Sequence, residues 1–377
     1  MRGRLLLNGN QSSPAELLRL AKPWMAGARR HALRGRDDGQ PPRVLVISAA
    51  WGAGEVNDGP LQQAIVTAGV SSADRVTSLQ AWGHRAAWLR RRPDVAQLAE
   101  ELDRYEDQAR DLYVEKTRYL AERIRRSARG LRGQDSDFRL GRLPAVVQDE
   151  LLPESMMGAV GLYARALTRE LGHDLADLVA HDRRMLAALA EADERLLRST
   201  GLRFDPEWRA RRAQLESLIL QADALVLPGG DPAALLNTLR FFDLGPALQE
   251  TLRLGATALC VSAGTVVLCE RMIIYDDYAT DPARREFRLY DRGLGLLGGL
   301  QVLPHCDDRI HTEDPDNLAY LARRFATHHC VGLNEDSLLL VDFSEASATS
   351  VGERDGVYVF GPDGRKWRYD RGERLAI

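Results

Sequence analysis

The sequence predicts an α/β fold: a mainly parallel sheet with helices on both faces, a large all-helical insertion and a short C-terminal β-hairpin. Short apolar runs rich in β-branched residues, of which Arg43–Ser48 is the clearest, are typical of strands buried on both faces. An amphipathic stretch, Ser13–Arg30, opens with a favourable Ser-Pro helix start and separates two such runs. Strand, helix and strand in that order indicate a parallel sheet with helical crossovers.

Apolar strand-like runs and helical stretches continue to alternate along the chain. Strands are predicted at Arg4–Leu7, Arg43–Ser48, Arg75–Leu79, Ala224–Leu227, Thr257–Val261, Ser337–Phe343, Gly356–Phe360 and Lys366–Tyr369. Helical stretches are predicted at Pro232–Phe241, Pro246–Leu254 and Thr265–Met272. The last two strands are separated by a Pro-Asp-Gly-Arg turn and form the predicted hairpin.

A long segment from about Gln80 to Glu216 is rich in Arg, Glu, Ala and Leu and poor in strand signals. We therefore divide the chain into a catalytic α/β domain, residues 1–79 and 218–377, and a helical insertion, residues 80–217. A heptad-like seam is predicted at Val95, Leu98, Leu102, Tyr105, Ala109 and Leu112. Its apolar partner is either a second helical region, Ser155–Arg198, or another subunit, so the insertion is expected to be a lid over the site or a dimerisation arm, and a homodimer is left open.

Composition excludes several classes of function. Of the 377 residues, 45% are hydrophobic and 28% are charged, which is ordinary for a soluble globular protein. The net charge of −3 favours neither nucleic acid nor an anionic membrane as a partner, and no apolar run is long enough for a membrane span. The four cysteines lack metal-ligand spacing, so we expect a reduced, cytoplasmic protein without a disulfide scaffold or metal.

Ser262 carries the strongest chemical signal. It lies in Cys260-Val261-Ser262-Ala263-Gly264, between a predicted strand and a predicted helix, where a tight turn exposes a nucleophile and demands small neighbours. A helix-capping serine is the alternative interpretation. A second strand ends at Pro228-Gly229-Gly230-Asp231, so the backbone N–H groups of Gly230 and Ala263 are candidates for an oxyanion hole.

A base and an acid complete the candidate site. His305 follows an apolar run at another predicted strand end, and histidine is the usual general base. Glu335 lies before a later strand, where an acid can orient the imidazole or be an ordinary turn residue. Asp336 and Asp307 are the alternative acids.

The motifs VLPGGD, CVSAG, GLGLLGGLQVLPH and VGLNEDSLLLV occur in this order. Together they resemble the dipeptidase E and cyanophycinase family of serine peptidases, whose fold is like that of class I glutamine amidotransferases. The resemblance covers roughly residues 4–79 and 218–345. It implies a Ser262–His305–Glu335 triad with Gly230 and Ala263 as oxyanion-hole donors.

The specificity residues of that family are less well matched. Cyanophycinase-like members have Gln after Gly-Gly-Asp, where this chain has Pro232 after Asp231. They also have an Arg-x-Arg pair after the histidine, of which this chain keeps only Arg309, with His311 in place of the second arginine. Asp231 and Arg309 are nevertheless candidate substrate-binding residues, Arg309 through pairing with a carboxylate.

We therefore expect hydrolysis of a peptide or isopeptide bond in a small peptide or amide, through an acyl-enzyme and without a cofactor. The alternatives are a non-catalytic member whose insertion binds a partner, and an acyl- or amidotransferase.

Overall fold

The structure is a computed structural model that describes residues 2–10, 13–28, 40–143, 162–275 and 287–376. Its centre is a seven-stranded sheet with the strand order β11-β10-β1-β5-β4-β2-β3. Five strands are parallel: β1 (Arg4–Asn8), β2 (Val44–Val46), β3 (Val76–Ser78), β4 (Ala224–Leu227) and β5 (Thr257–Val261). The predicted α/β class and the predicted neighbourhood of these strands are confirmed.

Two further strands close the sheet on the side of β1. They are β10 (Leu338–Asp342) and β11 (Ser347–Ser350), and both pair antiparallel. β5 lies between β1 and β4, so that Cys260 is level with Leu7 on one side and Leu227 on the other. The residues directly after β5, including Ser262, therefore leave from the middle of the sheet.

Helices cover both faces of the sheet because its strands alternate between two apolar cores. Leu6 packs toward α1 (Pro14–Met25) and α2 (Gly59–Thr67). Leu5 and Leu7 face the opposite way. That second core includes α6 (Pro206–Gln221), α7 (Pro232–Phe241) and α8 (Gly245–Arg253).

A second sheet has the order β13-β12-β9-β8. Its members are β8 (Leu300–Pro304), β9 (His329–Leu333), β12 (Val357–Phe360) and β13 (Lys366–Tyr369). β12 and β13 pair antiparallel, which confirms the predicted C-terminal hairpin. Between β8 and β9 lie α10 (Cys306–Arg309) and α11 (Pro315–Arg324).

The predicted helix Thr265–Met272 is wrong in extent. The helix, α9, spans only Ala263–Val266, and Arg271 begins β6 (Arg271–Tyr275), which pairs with β7 (Phe287–Arg292). The N–H groups of Gly293 and Leu294 donate to the carbonyls of Glu270 and Val267. These tertiary hydrogen bonds replace the helical ones, which local propensity does not reveal.

Two long helices, α4 (Pro93–Gln134) and α5 (Leu162–Ser199), pack along each other and form the helical pair. The predicted helix Ser155–Arg198 corresponds to α5, although its first residues and the preceding Pro144 lie outside the described residues. Arg29 and Arg30, at the end of the first predicted helix, also lie outside them. α3 (Ala81–Arg91) and α6 flank the pair in sequence, and Trp88 and Trp208 on these helices belong to the main core. The domain division at residues 80 and 217 stays a prediction.

The predicted heptad seam is partly wrong. Val95 is buried, but Tyr105 and Leu112 are 48% and 69% exposed. The packed face of α4 instead includes Val95, Ala99, Glu106, Tyr113, Leu120, Ile124 and Leu131. A buried carboxylate, Glu106, occupies the position where an apolar pattern requires a hydrophobic residue, so counting apolar residues alone selects the wrong face.

Candidate active site

Ser262 occupies a strained turn between β5 and α9. Its backbone has φ 45° and ψ −104°, a region that residues with a Cβ rarely adopt. The Ser262 N–H donates to the carbonyl of Asn8 at 3.0 Å, and a Cβ added at Gly264 would lie 2.3 Å from the Leu227 carbonyl oxygen. The turn therefore requires glycine at position 264, while the half-buried Ser262 side chain faces away from the strand.

His305 reaches Ser262 from the second sheet. It follows β8 directly, has a left-handed backbone with φ 54° and ψ 37°, and precedes α10. Its Nε2 lies 3.0 Å from Ser262 Oγ, which is hydrogen-bonding distance. With Nε2 unprotonated, the imidazole accepts the serine proton, so the pair has the geometry of a nucleophile and its general base.

The glycine loop after β4 lies beside the serine turn. Gly230 has φ 142°, and a Cβ there would lie 2.6 Å from the Ala50 carbonyl oxygen. Asp231 N donates to that same oxygen at 2.9 Å, and Trp51 Nε1 donates to the Gly229 carbonyl at 2.8 Å. The loop is thus held from both sides, and only glycine fits at position 230.

The loops also touch each other. A Cβ added at Gly229 would lie 3.5 Å from Ser262 Cβ, and Ala263 is the first residue of α9. The N–H of Gly230 and that of Ala263 therefore belong to two segments in contact at Ser262. This is the kind of arrangement from which two-donor oxyanion holes are built.

Asp231 and Arg309 lie close to these residues in sequence. The Asp231 carboxylate caps α7, accepting from the N–H groups of Ala233 and Ala234 at 2.8 and 3.2 Å. Arg309 ends α10, one turn after His305, whose carbonyl accepts from the Arg309 N–H at 2.9 Å. Asp231 therefore has a structural task, and the guanidinium of Arg309 is half-buried.

Glu335 lies in the turn between β9 and β10, with an exposed side chain. β8 and β9 are parallel, and Pro304 is level with Leu333. His305 and the turn that contains Glu335 therefore leave adjacent strands side by side. The alternative acids have other contacts: Asp307 accepts from Thr312 Oγ1 at 2.8 Å, and Asp336 lies 3.7 Å from an Arg354 nitrogen.

Two asparagines that the sequence did not single out join the parts of the site. Asn8 is fully buried, and its Nδ2 donates to the carbonyls of Glu335 and Ser337 at 3.1 and 2.7 Å. Its backbone carbonyl accepts from the Ser262 N–H. Asn334 Oδ1 accepts from Asp307 N at 3.0 Å and from Cys306 Sγ at 3.0 Å. The only sequence signal for either residue was a polar side chain directly after a buried strand.

The neighbouring thiols are poor nucleophiles. Burial raises the pKa of Cys260 and that of Cys306 far above the usual range of a thiol, so both remain protonated at neutral pH. Across the described part of the chain, no group of three His, Cys, Asp or Glu side chains is arranged to hold a metal ion. No helix within the same ranges is long and apolar enough to cross a membrane.

Part of the chain matches a known peptidase family. The model of peptidase family S51 matches residues 188–349, which include β4, the serine turn, His305 and Glu335. No curated protein sequence matches the chain. Among solved structures, the crystal structure of a peptidase from an acI-B1 Actinobacterium is similar, with 14% identity, 100% of this chain and 98% of that chain covered, and a TM-score of 0.48. The match over residues 188–349 confirms the resemblance to the dipeptidase E and cyanophycinase family and supports a hydrolase.

Proposed function

We propose that the protein cleaves a peptide or isopeptide bond through an acyl-enzyme formed on Ser262. The observation that carries the proposal is the 3.0 Å separation of Ser262 Oγ and His305 Nε2, with Ser262 in a strained strand-to-helix turn. A serine whose hydroxyl is held against an imidazole at such a turn is an activated nucleophile. A serine that merely caps a helix has no need of either feature.

The proposed reaction uses groups of this chain alone. His305 takes the Ser262 proton while Oγ forms a bond to the carbonyl carbon of the substrate. The N–H groups of Gly230 and Ala263 donate to the oxyanion that develops. His305 then gives its proton to the leaving amine, the C–N bond breaks, and water attacks the acyl-enzyme by the reverse sequence.

Glu335 is the proposed triad acid, with the task of orienting His305 and stabilising its protonated form. The parallel register of β8 and β9 supports this assignment, as do the other contacts that engage Asp307 and Asp336. Replacement of each acid by its amide distinguishes the three. Glu335→Gln is expected to lower kcat and shift its pH profile, whereas Asp307→Asn and Asp336→Asn keep the profile of the wild type.

The proposed substrate is a small peptide or amide, handled as in dipeptidase E or cyanophycinase. Arg309 is the candidate partner for a substrate carboxylate, because a guanidinium binds a carboxylate through paired hydrogen bonds. Asp231, which caps α7, also remains a candidate substrate-binding residue. The cytoplasm is the proposed location, since Cys260, Cys269, Cys306 and Cys330 are all unpaired thiols.

A fluorophosphonate probe tests the nucleophile directly, because it reacts only with an activated serine. We expect Ser262 to be labelled in the wild type, labelling to be lost in Ser262→Ala, which has no hydroxyl to react, and labelling to fall by roughly 10⁴-fold in His305→Ala. For turnover, the double variant should be no worse than either single one. Ser217→Ala and His173→Ala, at exposed positions on α6 and α5, are the matched controls and should label at the wild-type rate.

The probe and a turnover assay separate the hydrolase from the two alternatives, a non-catalytic member and a transferase. A folded wild-type protein that resists the probe would mean a non-catalytic member, and the hydrolase proposal would be abandoned. Turnover of an amide substrate in the presence of an added amine tests the other alternative, because transfer of the acyl group to the amine in preference to water would identify a transferase.

A further inference from the structure

The outer side of α4 carries an exposed apolar stripe, defined by Tyr105, Leu112 and Tyr119. Their exposed fractions are 48%, 69% and 60%. They are seven residues apart, so they follow one side of the helix with a drift of only about 20° per step. Three large side chains at heptad spacing therefore form an exposed row on the solvent face of α4, in which only Tyr119 has a close neighbour, the Arg123 guanidinium 5.8 Å from its ring, among the contacts described.

Charges beside the stripe are separated by sign along the helix. At 100° per residue, Asp94 and Glu101 lie on the stripe side near its N-terminal end, although Asp94 already pairs with Arg92 at 2.9 Å. Lys116, Arg123 and Arg126 lie on that side toward its C-terminal end, with a single acid, Glu115, at its margin. Glu122 lies further round the helix and pairs with Arg129 at 2.7 Å. One end of the stripe is therefore acidic and the other basic.

We propose that this stripe binds a second copy of the chain, with α4 antiparallel to α4 and a two-fold axis at Leu112. Leu112 then packs on Leu112 of the other copy. Tyr105, seven residues before the axis, faces Tyr119, seven residues after it. A parallel pairing would instead place acidic end on acidic end.

The self-complementary pattern is what favours a second copy over an unrelated partner. A two-fold interface brings each residue against its mirror position, so a stripe that is apolar at its centre and opposite in charge at its ends matches itself. Glu101, eleven residues before Leu112, faces Arg123, but Arg123 already pairs with Glu170 and Asp174 at 2.7 and 3.0 Å. The partner for Glu101 is therefore Arg126, one turn further on.

Sedimentation velocity of the full chain tests the dimer. The wild type is expected at twice the mass of one chain, and Leu112→Glu is expected to raise the dimer dissociation constant about thirtyfold or more, since a central apolar contact is replaced by two facing charges. Phe204→Ser, at an 83% exposed position outside α4, is the matched control and should remain dimeric. A wild type that sediments as a single chain at tens of micromolar would overturn the proposal.

Charge reversal tests the pairing without an apolar substitution. Glu101→Arg and Arg126→Glu should each weaken the dimer by about tenfold, and the combined variant should recover most of that loss, because the two residues meet across the interface. Additive weakening in the combined variant contradicts the assigned contact.

Engineered cysteines test the orientation, because the four native cysteines are all buried. Leu112→Cys is expected to form an intermolecular disulfide under mild oxidation. Tyr105→Cys alone should not, since two such residues would be about 21 Å apart along antiparallel helices, whereas a mixture of Tyr105→Cys and Tyr119→Cys should cross-link. Efficient cross-linking of Tyr105→Cys by itself refutes the antiparallel arrangement.

Discussion

Replacement of Asp182 by alanine tests how the helical pair is held on the rest of the molecule. Asp182 on α5 accepts two hydrogen bonds at 2.9 Å from the guanidinium of Arg324 on α11. Tyr113 on α4 donates to the same carboxylate at 2.6 Å, and Arg324 also donates to Tyr320 at 3.1 Å. The Asp182 and Arg324 side chains are each only 2% exposed, so this cluster joins three helices away from solvent.

The expected loss of unfolding free energy in Asp182→Ala follows from the burial of the Asp182–Arg324 pair. Removal of the carboxylate leaves a buried guanidinium without its counter-charge, which costs about 3–5 kcal/mol of unfolding free energy. For a chain of 377 residues, with an unfolding entropy of about 2.1 cal/mol/K per residue, this corresponds to a Tm lowered by roughly 4–6 °C. Asp177→Ala, at an exposed position on α5, is the matched control and should change the unfolding free energy by no more than about 0.5 kcal/mol.

Urea unfolding followed by circular dichroism measures both variants. The double variant Asp182→Leu/Arg324→Met should be far less destabilised than Asp182→Ala, because removal of both charges leaves no unpaired ion. A loss below about 1 kcal/mol in Asp182→Ala would refute the reasoning, since it would mean that water already reaches the guanidinium and that the helical pair does not seal this junction.

Three further predictions concern a backbone position, a positioning residue and a buried acid. Gly230→Ala should destabilise the fold by about 1–3 kcal/mol and slow fluorophosphonate labelling, since φ is 142° and the added Cβ would meet the Ala50 carbonyl; normal labelling contradicts this. Asn334→Ala should lower kcat about tenfold with little change in KM, because α10 loses the cap that follows His305; an equal rise in KM would argue against positioning. Burial raises the pKa of Glu106 to about 7, against the opposing effect of a nearby guanidinium. The folded state therefore binds more protons than the unfolded state between about pH 4.5 and 7, and stability falls as pH rises through this range. Urea midpoints of Glu106→Gln should decline less from pH 5 to 8 than those of the wild type, and parallel declines would exclude this role.

Much of the α/β part of the fold could be predicted from the sequence because its signals are local. A buried parallel strand is a continuous apolar run, and a strand followed at once by Ser262-Ala263-Gly264 restricts the backbone within a few residues. The strand positions, the C-terminal hairpin and the family resemblance depend on such short segments. They needed no knowledge of which segments meet.

The helical pair shows where local signals fail. The apolar residues of α4 form two stripes, and the sequence pattern merged them into one. Burial separates them: Tyr113 lies inside with Glu106, whereas Tyr105 and Leu112 face outward. A pattern of apolar residues cannot identify a buried face that contains a carboxylate such as Glu106, which pairs with Arg110 on the same helix at 2.7 Å.

The sequence by itself determined the five parallel strands of the main sheet, the C-terminal hairpin, the turn at Ser262 and the residue types available for chemistry. Only the tertiary structure decided that Ser262 and His305, 43 residues apart and on different sheets, meet at hydrogen-bonding distance. It also decided that Asn8, near the other end of the chain, ties the Ser262 turn to the turn that contains Glu335. The physical reason is that such contacts depend on strand order and register, which are set by packing over the whole molecule and not by neighbours in the chain.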